Sequence, residues 1–240
     1  LILVYEPKIK KMKNIVFICA ILCSLSQTAQ STVTKNLGDY TVLKVYNGIA
    51  LEMLKSTEAK LVITGKKSEK VNIKNVNGTL KIALPFSVNL AERSAEGDVL
   101  VTLYYKNDIA IVDANEGATI TAKKIQQDKL EVNVQEGAFI NLVIEVEDLE
   151  VRASSGGIIK LTGTAKNQTV DVDLYGVYNG FGLKAALSST VKAGTGAKAE
   201  IMAGETLKAK VNFGGSIFYK GNPEVTKDKK IIGGTIQKRD

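Results

Sequence analysis

Asp113, Glu116 and Glu136, followed by Arg152, are the side chains of this 240-residue chain whose types and spacing come nearest to catalytic chemistry. An acidic cluster that holds calcium, with an Arg or Lys nearby as base, is the machinery of polysaccharide lyases. Glu116 and Glu136 lie twenty residues apart. If the chain coils with that period, the two carboxylates stack about 5 Å apart. Such a pair can bind a cation, or raise the pKa of one member. A pair of carboxylates is also the minimum for glycoside hydrolysis, but nothing selects the members. The plainer reading of Glu116 and Glu136 is solvated turn residues, because the following intervals offer Ser154-Ser155 and then Tyr175. A second cluster is aromatic: Tyr175, Tyr178 and Phe181 stand among Gly176, Gly180 and Gly182. Exposed, these rings could stack on sugars; buried, they would fill irregular space, and buried packing is the expectation.

Missing residue types exclude more than those present suggest. The chain has no histidine, and its two cysteines are Cys19 and Cys23. Histidine is the commonest general base and metal ligand, so Ser-His and Cys-His nucleophile systems and zinc sites are ruled out. Gly65-Lys66-Lys67 lacks the spaced glycines of a phosphate-binding loop. We assign no catalytic residue, no metal and no cofactor. Glu116, Glu136, Tyr175, Tyr178 and Phe181 remain as candidate binding residues.

The elements that would carry these residues are strands. Runs such as Leu130-Glu131-Val132-Asn133-Val134 and Leu149-Glu150-Val151-Arg152-Ala153 alternate apolar with polar. Successive side chains of a strand point to opposite faces, so each run buries one face and wets the other. Of the 21 glycines, all but five fall from Gly117 onward. A turn glycine recurs there at Gly117, Gly137, Gly156, Gly176, Gly196, Gly214 and Gly233, at intervals of 18 to 20 residues. A fixed period of this kind marks a repeat architecture. The flanking apolar slots repeat as well, with Val112 and Ala114, Val132 and Val134, then Val151 and Ala153 before the glycine. Ala118 and Ile120, Ala138 and Ile140, then Gly157 and Ile159 follow it. Before Gly176 the slots shift by one residue (Val170, Val172, Leu174), which predicts a bulge. Each unit reads as strand, tight turn, strand and second turn, and only stacking on its neighbours buries its apolar face. Second turns are expected at Glu147-Asp148, Ser188-Ser189, Gly204-Glu205 and Gly221-Asn222-Pro223. The fold expected is an all-β, right-handed β-solenoid, a superhelix of two sheets, over 108–240. Residues 30–107 are less regular, with turns at Asn47-Gly48 and Asn77-Gly78 and a loop over 86–97, and should cap one end. The charged stretch Lys227 to Asp240 should cap the other. No linker rich in Pro or Ser separates the two regions, which argues for one structural body.

The start of the chain reads as an export signal. Met12-Lys13-Asn14 precedes the apolar run Ile15 to Leu25, and small and polar residues continue to Gln30. This is the pattern of a secretory signal peptide, with residues 1–11 upstream of the true start and cleavage expected after Ala29. The run is shorter than the roughly twenty apolar residues of a membrane span, so the mature chain should carry none. Neither cysteine follows a small residue, which argues against a lipoprotein. Both fall inside the signal, leaving the mature chain without disulfides. Losing residues 1–29 lowers the formal charge of +7 by three. The remaining lysines alternate with acids, unlike the concentrated Arg-rich stripe of nucleic-acid binders, so no nucleic-acid partner is expected.

Asp39-Tyr40 through Gly48-Ile49, Asn77-Gly78-Thr79-Leu80-Lys81-Ile82, the stretch Tyr105 to Ala118 and the closing Phe213-Gly214-Gly215-Ser216-Ile217-Phe218-Tyr219 with Ile232-Gly233-Gly234 carry a resemblance. Over roughly 38–236 the chain resembles the bacterial family described as putative auto-transporter adhesin, head GIN domain. The resemblance implies a two-sheet superhelix of pectin-lyase type with Gly-centred turns, and a proposed role in adhesion. It implies no catalytic residue. Several turns here use Glu-Gly where that family favours Gly-Ser-Gly. The function expected is therefore a non-catalytic structural or adhesion module of the cell envelope or exterior, presenting a rigid β surface to a glycan or protein. Copies could pair through an exposed face. The competing expectation is a carboxylate-dependent polysaccharide lyase or hydrolase of pectin-lyase type. Export through the Sec pathway would place the protein in the periplasm, on the outer-membrane surface or outside the cell.

Overall fold

The structure is a computed structural model and describes residues 37–65, 67–85 and 99–240, without the side chains of 226–231. The expected signal peptide, its cleavage site, both cysteines and the 86–97 loop lie outside the described residues. What is described is a β-solenoid: strands interrupted by tight turns and one 3-10 turn at Ser68–Lys70.

Four long strands form the centre, β8 (Thr119–Val134), β9 (Phe139–Ala153), β10 (Ile158–Val172) and β11 (Val177–Ala193), in chain order as the eighth to eleventh strands. Each pairs in parallel with the next, in the register that the glycine spacing implies: Val132 beside Val151, and Ile140 beside both Ile120 and Ile159. Val132, Ile140, Val151 and Ile159 are fully buried. Alternation therefore does what it promises, and the inward faces of successive rungs share one apolar cluster. Toward the C-terminus the coil continues through β12 (Lys198–Met202), β13 (Thr206–Asn212), β14 (Ser216–Lys220), β15 (Glu224–Ile231) and β16 (Thr235–Lys238). β13 and β15 extend the face before the glycine turn, and β12, β14 and β16 extend the face after it.

Residues 42–114 join the same stack in an order that differs from their order along the chain. β1 (Val42–Val45) lies between β5 (Thr79–Ala83) and β7 (Ile111–Ala114), while β2 (Ala50–Lys55) lies between β6 (Leu100–Tyr105) and β8. The first pair of strands is thus a rung inserted between later ones. Its Asn47-Gly48 turn donates from the Gly48 N–H to the Glu116 carbonyl at 3.0 Å. The end of the stack is closed by β3 (Lys60–Thr64) and β4 (Asn72–Val76), both antiparallel to their neighbours. Leu61 and Ile63 of β3 cover the core there.

Two local expectations need correction. Glu147-Asp148 and Ser188-Ser189 are not tight turns: they lie inside β9 and β11, whose ladders run through them, with Asp148 beside Asn167 and Asn167 beside Ser188. The chain bends at this second corner without leaving the sheet, so the two faces are continuous there. Nor is there a bulge ahead of Gly176, because Val170 and Val172 stand in unbroken register with Val151 and Ala153. Leu174 and Tyr175 occupy the turn, and the glycine comes one place later than in the other rungs.

Three buried tyrosines give the fold an alkaline limit. Burial pushes the Tyr40 hydroxyl up to about 12, with the neighbouring Tyr105 adding to it. Burial also raises Tyr105 and Tyr178. A pKa raised in the folded state means stability is intact below the ordinary tyrosine value of about 10 and falls as pH climbs above it. We expect urea midpoints to hold steady at neutral pH and to drop in strong alkali, each tyrosine contributing up to about 1.4 kcal/mol per pH unit. Tyr178→Phe should flatten that slope. A midpoint indifferent to alkali would refute the burial of these hydroxyls.

Candidate contact surface at the glycine corner

The sharp corner of the coil is a column of two-residue turns. In most of them both central residues are left-handed: Glu116 and Gly117 have φ of 52° and 73°, and Glu136 and Gly137 have 56° and 69°. Glycine adopts this conformation without steric penalty, which is why it recurs. The turns are also tied to one another. The N–H of Gly117 donates to the Glu136 carbonyl, that of Gly137 to Ser155 and that of Gly156 to Leu174, each at 3.1 Å. Ala118 and Ala138, which follow the turns, are buried. The corner is thus a hydrogen-bonded ridge whose first central residue is exposed at Glu116, Glu136 and Ser155, whereas Asn47 is buried and donates to the Leu84 carbonyl.

Glu116 and Glu136 occupy that projecting position on adjacent rungs and are both exposed, stacked as their spacing implies. Their negative charge helps to raise the pKa of Tyr46, after the larger effect of that phenol's burial. The lyase-like set is not assembled around them. Asp113 is buried and bound to Lys44 at 2.8 Å and to the Asn115 side-chain amide at 2.9 Å. Its hydrogen bond is the main reason Lys44 is raised above the ordinary lysine value. Arg152 lies on the outer face before the turn, clamped by Glu131 at 2.9 Å and by Glu150. A guanidinium neutralised by two carboxylates of its own face is poorly placed to act on a substrate at the corner.

The three aromatic candidates separate completely. Tyr178 is fully buried, so it leaves the set of binding residues. Its ring points inward on β11, and its hydroxyl donates to Gln168 Oε1 at 3.2 Å. Gln168 and Ser189, bonded at 3.0 Å, form a buried polar pair where neighbouring rungs carry Leu149 and Leu207. The glycine at 180 makes room for the ring: a Cβ there would sit 2.6 Å from it. Phe181 is half-buried beneath the Lys220 ammonium, 5.3 Å from the ring centroid. Tyr175 is exposed, at 69 %, in the turn itself. Its backbone is left-handed, with φ of 63°, as is that of Leu174.

Exposed apolar side chains at Leu174, Phe213 and Ile232 escaped the sequence reading, although all three occupy turn positions of the glycine repeat. The signal was available, since each stands just before the turn's second central residue, where earlier rungs carry Glu or Ser. A second feature became visible only in three dimensions. At the other corner an open groove of about 630 Å³ crosses several rungs, lined by Lys129, Glu131, Asp148, Glu150, Asn167 and Thr169.

The family model for putative auto-transporter adhesin, head GIN domain, matches residues 39–223, most of the coil just described. The chain belongs to this family. Among solved structures, the head GIN chain is similar to a putative adhesin from Bacteroides fragilis, with a TM-score of 0.75 and 18 % identity over 88 % of this chain and 98 % of that one. A putative adhesin from Parabacteroides distasonis aligns with a TM-score of 0.69 and 22 % identity, over 87 % of this chain and 96 % of the other. A putative lipid binding protein from the same species gives 0.68 and 18 %, over 89 % and 98 %. At such identities the likeness shows the fold alone. A search of the curated proteins finds no match. The family and these adhesins are described by adhesion rather than by a reaction, and the family description suggests a surface or extracellular location. Among the described residues no helix is long and apolar enough to cross a membrane.

Proposed function

We propose that this head GIN chain is a non-catalytic adhesion module that presents a rigid β surface to a glycan or a protein outside the cytoplasm. The observation that carries this reading is a side-chain ladder at the second corner. Asn167 donates to Asp148 at 3.0 Å, and Ser188 donates to Asn167 at 2.8 Å, across adjacent rungs. Rungs repeat about every 4.8 Å, so the Asp148 carboxylate and the Asn167 amide are held at fixed spacing in the open groove, with the Ser188 hydroxyl next along the ladder. Polar groups immobilised in this way can bind a polymer without paying again for their ordering. Export belongs to the same proposal and rests on the Met12 to Gln30 pattern.

The test is an array of glycans and surface proteins, with a polysaccharide panel run in parallel. Saturable binding without turnover is expected, weakened about tenfold by Asn167→Ala through loss of its hydrogen bonds. Hydrolysis or elimination that disappears in Glu116→Gln or Glu136→Gln would instead establish the carboxylate enzyme.

A further inference from the structure

We propose that the C-terminal half of the glycine corner seats on an anionic lipid surface, with its apolar turn residues entering the headgroup layer and a lysine row meeting the phosphates. Along this edge the projecting residues change character. Glu116, Glu136 and Ser155 give way to Leu174 with Tyr175 and, beyond the half-buried Thr195 of the next rung, to Phe213 and Ile232. These four are 49 %, 69 %, 57 % and 74 % exposed. All four are also left-handed, with φ between 45° and 63°. That conformation is unfavourable for large side chains and most so for β-branched isoleucine. Ser155 and Asn47 show that small polar residues occupy the same place. Exposing an apolar side chain in a strained turn gains nothing for the free protein, and such features cluster at binding sites.

The flanking strands supply the charge. On the face before the turn, Lys192 and Lys210 stand directly beside each other in register, and Lys208 lies alongside Thr190. Like charges placed opposite each other repel, so an anion between them would be stabilising. The acids nearby are Asp171, in register with Lys192, and Asp173, whose carboxylate accepts from the Leu174 and Thr195 N–H groups at 2.8 and 2.7 Å. On the face after the turn, Lys198 is paired with Glu200 at 2.8 Å. The net excess is therefore positive and lies beside the apolar ridge, the arrangement that interfacial membrane binding requires. The ridge is one turn wide and convex. Two such edges laid together touch along a line and bury little, whereas a lipid surface admits a narrow ridge between its headgroups.

The measurement is co-sedimentation with vesicles of phosphatidylglycerol and phosphatidylcholine against vesicles of phosphatidylcholine alone. It uses the chain from Ser31 onward, a compact unit whose core runs from Leu37 to Ile217 and which omits the apolar run 15–25. Binding should require the anionic lipid and weaken with salt. Phe213→Asn with Ile232→Asn should reduce it about a hundredfold. The same variant should melt no lower than the parent, because asparagine tolerates the left-handed turn. Lys192→Gln with Lys210→Gln should reduce binding about twentyfold. Equal binding by the asparagine variant overturns the proposal. So does a parent that ignores both vesicles, or a ridge whose substitution changes the sedimentation coefficient by separating two copies.

Discussion

Val132→Asp and Ile140→Asp each unfold the stack. Both side chains are fully buried, and each lies between two equivalent neighbours: Val132 between Val112 and Val151, Ile140 between Ile120 and Ile159. An aspartate at either position faces apolar side chains above, below and across the coil. Among the described residues no lysine or arginine is buried in the core to pair with it. Burying an unpaired carboxylate costs several kcal/mol even when the group takes up a proton, and the lost apolar packing adds to this. A domain's whole stability is about 5–15 kcal/mol, so the expected result is loss of the cooperative transition at ordinary temperature. The position within the stack enlarges the effect. Each rung contacts only its neighbours, so a central rung that cannot close leaves two short stacks with newly exposed ends. Far-ultraviolet circular dichroism with thermal melting measures this, and Thr169→Asn on the outer face is the control, expected within about 0.5 kcal/mol of the parent. Near-parental melting of both core variants would show that these residues do not point inward.

Gly176→Val is the second large effect, expected to cost about 3 kcal/mol or more and to lower the melting temperature by about 10 °C. A Cβ at this position would sit 2.2 Å from the carbonyl oxygen of Ala153 and 2.5 Å from its carbon. Both are backbone atoms of the adjacent rung and cannot turn aside. Gly137 makes an instructive contrast. Nothing lies within 4 Å of a Cβ placed there, and its φ of +69° is the only obstacle. Gly137→Asn should therefore cost less than about 1 kcal/mol, since asparagine adopts that conformation locally. If Gly176→Val melts like Gly137→Asn, the close approach of the two backbones is wrong.

These two glycines belong to one even series in the sequence yet do different work. Gly137 is the second central residue of its turn, whereas Gly176 follows a turn made by Leu174 and Tyr175. Spacing alone cannot tell the two apart. The one-residue offset before Gly176 was visible, but an extra strand residue and a displaced glycine leave the same trace. Buried packing was the expectation for the aromatic cluster, and the same offset decides that Tyr178 meets it while Tyr175 does not. With Tyr175 inside the turn, position 178 becomes an inward slot, and Tyr178 enters the core to meet Gln168. The acid candidates show the complementary limit. Glu116 and Glu136 stack as their spacing says, but Lys44, which binds Asp113, comes from a strand 69 residues earlier in the chain.

What the amino-acid sequence determined by itself was everything that depends on near neighbours along the chain. Alternation decided which side chains face the core, and the recurrence of glycine decided where the sharp corner falls, because both follow from the local geometry of a strand and a left-handed turn. From those two facts the coil and much of its register from β8 onward follow, but not the shifts between Ala122 and Ile125, between Lys160 and Thr162 and between Ala165 and Asn167. The tertiary structure decided which distant segments pair. It placed the Val42–Val45 and Ala50–Lys55 strands between later rungs and turned two strands antiparallel to close that end. It carried β8 to β11 around the second corner without a break, while the later rungs break there at Gly204-Glu205 and Gly221-Asn222-Pro223, and it left Leu174, Tyr175, Phe213 and Ile232 facing solvent. The physical reason is that pairing between distant segments is chosen by the total area the whole stack buries, a quantity that no short window of sequence contains.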